Sequence, residues 1–138
     1  MPAKDIYHDT VKRALVKDGW TVTAENLRLP WGGTDAYVDI AAERVLSAEK
    51  DGRKIAVEVK SFVGKSSLTE LEKAVGQFVV YRLALRKSEP ERELWLAVRA
   101  KIYSKLFVNA DVWELVESER LKLLVFNEDN EEIARWIS

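Results

Sequence analysis

The chain has 138 residues, which fits one compact domain, with 47% hydrophobic and 33% charged residues and a net charge of −1. That balance is ordinary for a globular protein that buries a real core, and it excludes a strongly basic nucleic-acid binder by composition. Cysteine is absent, which excludes disulfides and thiolate metal sites, and the lone histidine, His8, excludes a histidine-rich zinc centre.

No apolar run is long enough to span a bilayer, so no membrane association is expected. The segment MPAKDIYHDTVKRAL lacks the apolar core of a secretory signal, and a cytoplasmic location is the expectation. Charge is uneven along the chain. Residues 109–138 carry 8 acids against 3 bases, a balance of −5, which leaves residues 1–108 at +4. A locally basic face with an acidic far end is compatible with that split.

The first expected element is a helix from Asp5 to Asp18, with Ile6, Val11, Ala14 and Leu15 near helical spacing and Gly19 as its stop. WTVTAENLRL reads as a strand, and PWGGT, Pro30 to Thr34, as a turn. DAYVDIAAERVLSAEK reads as the next strand. Val38 and Ile40 share one of its faces; Asp35, Tyr37, Asp39 and Ala41 share the other. DGR, Asp51 to Arg53, signals a hairpin into KIAVEVKSF, which predicts antiparallel pairing. SSLTELEKAVGQFVVYRLALRK is a helix whose main apolar stripe is Leu71, Val75, Phe78, Val79 and Leu85. ELWLAVRA is a strand, and two short helical pieces follow. LKLLVFNEDNEEIARWI closes as a hairpin around Asn127 to Asn130, with Leu123, Val125, Ile133 and Ile137 as core candidates. The order α-β-β-β-α-β-α-β-β predicts an α/β (α+β) fold, a mixed sheet flanked by helices. With no repeat or linker, a single domain over residues 1–138 is expected.

The strand IAVEVKSF poses the chemical question. Ile55, Val57 and Val59 point one way, Glu58 and Lys60 the other. Asp39 lies on the preceding strand, where hairpin pairing brings it near Glu58. An E-x-K on a strand is ordinarily a solvated face. Here an upstream strand acid and a covering helix leave less room for charges without a role. Carboxylate oxygens suit a hard cation such as Mg²⁺ or Mn²⁺. Such an ion polarises a phosphoryl oxygen and acidifies a bound water, and a neighbouring lysine orients that water or offsets phosphate charge. This is phosphodiester-hydrolysis chemistry.

Asp39 followed by Glu58-Val59-Lys60 resembles the PD-(D/E)XK nuclease pattern, with Val38 where a proline often stands. Nearly the whole chain is also similar to the XisH family, the fdxN element excision controlling factors of cyanobacteria. That resemblance rests on IYHDTVKRALVKDGW, GGTDAYVDIAAE, AEKDGRKIAVEVKSFVG, GQFVVYRLAL, EPERELWLAV and LKLLVFNEDNEEIARWI. It implies a restriction-endonuclease-like αβββαβ core with a C-terminal β-hairpin, and a role with XisI-type proteins in site-specific DNA excision. The recombinase itself is a different protein, so the family implies an accessory factor.

Carried over by residue, the resemblance makes Asp39 and Glu58 metal ligands, Lys60 the catalytic lysine and the carbonyl of Val59 a further ligand. Gln77 matches a glutamine that lies near the catalytic lysine in several such nucleases, and Tyr81 is one helical turn on. Asp35 is the alternative first acid, although its ordinary role is to end the GGT turn. His8 and Asp9 occupy a helix on which some relatives carry an extra ligand or a phosphate contact; a lone histidine is more commonly a packed residue. Lys12 and Arg13 are candidate DNA contacts of a routine kind. The five tryptophans are too dispersed for a base-stacking platform and read as core or interface.

The leading expectation is therefore a metal-dependent endodeoxyribonuclease-like site in a DNA-excision controlling factor, with DNA as partner and a homodimer as the assembly that cuts both strands. The alternative is a catalytically inactive nuclease-fold subunit that binds DNA or holds an XisI-like protein.

Overall fold

The computed structural model describes residues 4–44 and 52–138. Helix α1, His8–Lys17, begins later than its apolar spacing predicts. The carbonyl of Asp5 accepts the N–H of His8 at 3.0 Å and its carboxylate accepts the N–H of Tyr7 at 2.8 Å. This turn consumes Asp5 to Tyr7, so Ile6 stands outside the helix, 69% exposed, rather than in the core. His8, Val11, Ala14 and Leu15 form the buried face. Gly19, at φ 94°, closes the helix in a backbone region that side-chain-bearing residues avoid.

Strands β1, Thr21–Trp31, and β2, Thr34–Arg44, are joined by Gly32 and Gly33 alone, at φ 60° and 75°. Two positive-φ residues make the turn whose twist matches a hairpin, so Pro30 and Trp31 belong to the strand. Next come β3, Arg53–Val59, and α2, Ser67–Ser88, whose N-terminus is capped by the Ser66 hydroxyl accepting the N–H of Thr69 at 3.2 Å. They are followed by β4, Arg92–Arg99, the short helices α3, Ala100–Leu106, and α4, Ala110–Ser118, then β5, Leu123–Asn127, and β6, Glu132–Ile137. The β5–β6 turn is organised by the Asn127 carboxamide oxygen, which accepts the N–H groups of Asp129 and Asn130 at 2.9 and 3.2 Å. The second strand was expected to run past Arg44; residues 45–51, including Asp51 of the expected turn, lie outside the described residues.

The six strands form one mixed sheet in chain order, β1 to β6. β3–β4 and β4–β5 are parallel and the other pairs antiparallel, with α2 crossing between β3 and β4. The expected β2–β3 pairing is present, from Ile40↔Val57 to Arg44↔Arg53. The fold is thus a mixed α+β fold with four helices among the described residues.

Two apolar clusters cover the two faces. Val11, Leu15, Ile40, Ile55, Val57, Val59 and Trp95 lie on the α1 side. Ala56, Leu71, Phe78, Leu85, Leu94 and Leu96 lie on the α2 side, with Phe107 and Val116. Val38 is a correction. It packs on the α2 side, whereas Ile40 packs on the α1 side. β3 supports β2 only from Ile40 onward. Below that point β1 and β2 form a two-stranded ribbon, which twists more strongly than a wide sheet and folds Leu29 and Val38 over α2. Trp20 and Trp95 are buried, and Trp31, Trp113 and Trp136 pack partly buried against the clusters, as core residues do.

Candidate functional site

A central strand covered by apolar packing on both faces normally reads as continuous apolar sequence. β3 obeys this on its α1 face with Ile55, Val57 and Val59. On its α2 face Ala56 is followed by Glu58, only 5% exposed. Beside it, on β2, lies Asp39, 8% exposed. The N–H of Asp39 donates to Glu58 Oε1 at 3.3 Å, and the N–H of Val59 donates to Asp39 Oδ2 at 2.8 Å. Lys60 Nζ stands 3.6 Å from Glu58 Oε2.

These residues open onto a cavity of about 260 Å³. Its far wall is α2, which contributes Gln77 and Tyr81 at helical i, i+4 spacing. Gln77 Oε1 is buried and has no hydrogen-bond partner among the described residues. Tyr37 and Asp5 complete the lining.

The electrostatics follow from burial. Loss of solvent pushes the Glu58 carboxyl up to about 8; the Asp39 charge pushes the same way, and Lys60 opposes. Burial also raises Asp39, against the Val59 N–H and the smaller pulls of Glu58, His8 and Lys60. Tyr81 is raised to about 12, first by burial and then by the two acids. The acid pair therefore holds a proton near neutrality, and Asp39, Glu58 and Gln77 bring side-chain oxygen atoms to one cavity that Val59 also lines.

The strand end beyond Lys60 is fixed from three sides. The N–H of Lys60 donates to the carbonyl of Ala97 at 3.1 Å, one residue past the end of β3. Asp5 Oδ2 accepts the N–H of Ser61 at 3.1 Å, and Arg99 Nε donates to the Ser61 carbonyl at 3.2 Å. Arg99 is itself paired with Glu128 at 3.0 Å and lies over the ring of Tyr7. Phe62 then turns the chain away at φ 54°, an unusual conformation for a bulky residue, held because its ring is buried edge-on to Phe107.

Of the residues singled out from sequence, Asp39, Glu58, Val59, Lys60, Gln77 and Tyr81 are brought together. Asp35, His8 and Asp9 are not. Asp35 pairs with Arg28 at 2.9 Å, four residues along β2 from Asp39, where the ribbon has left the central sheet. His8 is buried, with Nε2 2.7 Å from Glu25 Oε1, and Asp9 reaches Lys4 at 3.2 Å on the helix surface. Glu25 also pairs with Lys12 at 3.0 Å. His8, Asp9 and Glu25 make a separate cluster whose oxygen and nitrogen atoms lie within 4.8 Å of one another. Sequence reasoning missed Asp5 and Tyr37 as lining residues. Tyr37 shares the strand parity of Asp39, a usable signal; Asp5 gives none, because its partner Ser61 is 56 residues away.

No described helix is long and apolar enough to cross a membrane. No curated protein matches the chain. Two crystal structures are similar to it almost end to end. One is of an XisH family protein from Nostoc punctiforme PCC 73102, 41% identical, with a TM-score of 0.89 over 97% of this chain and 100% of that one. The other is of an fdxN element excision controlling factor protein from Anabaena variabilis, 42% identical, with a TM-score of 0.87 over 98% of this chain and 100% of that one. The family described as XisH protein matches residues 1–134, and the chain belongs to that family.

Proposed function

We propose that this protein acts on DNA in site-specific excision, as a controlling factor of the fdxN-element kind, through a divalent-metal-dependent phosphodiesterase site. The observation that carries this reading is the convergence of Asp39, Glu58 and Lys60, from two paired strands, at one buried cavity. Two buried acids side by side, with one lysine between them and solvent, cost stability, so an arrangement of this kind points to use. The element order, α1, the β1–β2–β3 meander, α2 and β4, supports a restriction-endonuclease-like αβββαβ core, in which E-x-K at the end of the third strand would be the PD-(D/E)XK motif.

The donor set fits a hard cation. Asp39 and Glu58 supply carboxylates, Val59 lines the same cavity, and Gln77 Oε1 is an acceptor without a donor. A bound Mg²⁺ or Mn²⁺ would supply Lewis-acid polarisation of the phosphate and a more acidic water. Lys60, held 3.6 Å from Glu58, is placed to orient that water or to stabilise charge on the phosphate. Gln77 and Tyr81 line the α2 wall of the cavity that a phosphate group would enter. Two copies of the chain, each cutting one strand, would serve duplex DNA.

The test is incubation of the purified protein with duplex, branched and single-stranded DNA in Mg²⁺ or Mn²⁺. Metal-dependent cleavage that disappears in Glu58→Gln and Lys60→Ala is the expected result. Cleavage that persists in both variants, or no cleavage of any substrate, overturns the nuclease reading. A second reading is favoured by the name of the Anabaena variabilis relative, a controlling factor. In it the pocket only grips DNA or the protein holds an XisI-like partner, and salt-sensitive binding without cleavage is its signature.

A further inference from the structure

The second site lies at the opposite end of the sheet. β3, β4 and β5 run parallel, so the starts of β4 and β5 are far from Lys60 at the end of β3. There, the C-terminal half of α2 and the first residues of β4 enclose a cavity of about 220 Å³. Its floor is apolar, built from Phe78, Leu85 and Leu94. Its walls carry Arg82, Arg86, Arg120, Lys122 and the carboxylate of Glu93, together with Arg92, whose guanidinium is already paired with Glu89 at 3.0 Å and Glu43 at 3.4 Å. Glu93 is already matched by Arg53 and by Lys122, each at 2.8 Å. Arg82, Arg86 and Arg120 have no carboxylate partner among the described residues. Arg120 and Lys122 also border a second, more apolar cavity of about 400 Å³, lined by Trp113, Val116, Leu121 and Ile137 together with Glu117 and Ser138.

Two apolar hollows separated by a cationic ridge match a segment with apolar side chains on either side of acidic ones. We propose that this double cleft docks an acidic segment of a partner protein, carboxylates on Arg86 and Arg120 and an apolar side chain in each hollow. Charge complementarity selects the acid; the hollows select a peptide over a bare anion. Single-stranded nucleic acid is the poorer fit. It is recognised by stacking on open aromatic faces, and the ring in the first hollow, Phe78, is 1% exposed and covered by the Arg82 guanidinium at 5.3 Å. The inference does not depend on the nuclease reading, because no residue of this cleft lines the Asp39–Glu58 cavity. It leaves that cavity open while a partner is bound.

The test uses the full chain, labelled with ¹⁵N, and three 12-residue peptides that place one, two or three glutamates between two leucines. At least one acidic peptide is expected to move the amide signals of Leu85, Arg86, Leu94 and residues 120–122, and to leave Glu58 and Lys60 unmoved. Its dissociation constant is expected to rise at least tenfold in Arg86→Glu/Arg120→Glu, whose exposed positions preserve the fold by circular dichroism. Lys101→Glu/Lys105→Glu, with the same charge change on α3, is expected to bind as the wild type does. The proposal is overturned if none of the peptides moves the cleft signals, or if glutamine counterparts move them equally. It is also overturned if the two double variants weaken binding alike, or if a 12-nucleotide oligonucleotide occupies the cleft more tightly than the peptides.

Discussion

The backbone N–H of Asp39 donates to Glu58 Oε1 at 3.3 Å, so two acids 19 residues apart in sequence share one buried patch of the sheet. Burial and the neighbouring Asp39 raise the Glu58 carboxyl from 4.5 to about 8. The folded state then holds a proton that the unfolded state releases near 4.5. Folded molecules bind more protons throughout that window, so stability is full below about 4.5 and falls as pH rises through about 8. Glu58→Gln removes the titration and keeps the shape. The metal-free variant should outmelt the wild type at pH 8 by an amount on the order of a few kcal/mol, and match it near pH 4.5. Thermal melts across pH 5 to 9 in the presence of a chelator check this; a wild-type profile no steeper than that of Glu58→Gln refutes it.

Metal binding should reverse the ranking. A cation that engages the native acid pair stabilises the fold by mass action, about 3 kcal/mol at a hundred times its dissociation constant. Addition of Mn²⁺ at pH 7.5 should raise the melting temperature of the wild type by several degrees and leave Asp39→Asn and Glu58→Gln unmoved. Equal shifts in all three proteins would place the metal elsewhere, with the His8, Asp9 and Glu25 cluster the first place to look.

The sequence made the β3 side of this site legible because strand parity is local. Val57, Glu58, Val59 and Lys60 sort onto faces by a period of two, whatever surrounds them. Gln77 was legible only through the resemblance to nucleases, and Tyr81 through its one-turn spacing from Gln77. What sequence reasoning missed is non-local. Val38 shares parity with Ile40, yet a ribbon free of β3 twists it to the other side of the sheet. Asp5 reads as a helix residue until Ser61 is seen to donate to it. Arg92, just before the expected strand ELWLAVRA, carries no local signal of its place, and it is buried.

Asp5 gives a direct test of how the strand end is held. Its two carboxylate oxygens accept the N–H groups of Tyr7 and Ser61 at 2.8 and 3.1 Å. Asp5→Ala strands both donors and should cost about 1–3 kcal/mol in urea denaturation. Asp5→Asn keeps one acceptor oxygen and should cost less. If Asp5 only lined the cavity, both variants would melt as the wild type does.

Arg92 supports the sheet from within. Its side chain is 5% exposed and donates to the carbonyl of Ile55 at 3.0 Å, to Glu89 at 3.0 Å and to Glu43 at 3.4 Å. One guanidinium thus ties β3, the end of α2 and β2 to the start of β4. Arg92→Ala loses the buried stem and leaves the Ile55 carbonyl without this donor, while the two glutamates remain partly solvated. The expected loss is about 1–3 kcal/mol, from hydrogen bonds to a charged group. Arg92→Lys should recover little of it, because an ammonium on a flexible stem cannot reproduce the planar fork that reaches three acceptors at once. Urea denaturation of the three proteins decides the matter, and a lysine variant as stable as the wild type would show that charge alone suffices.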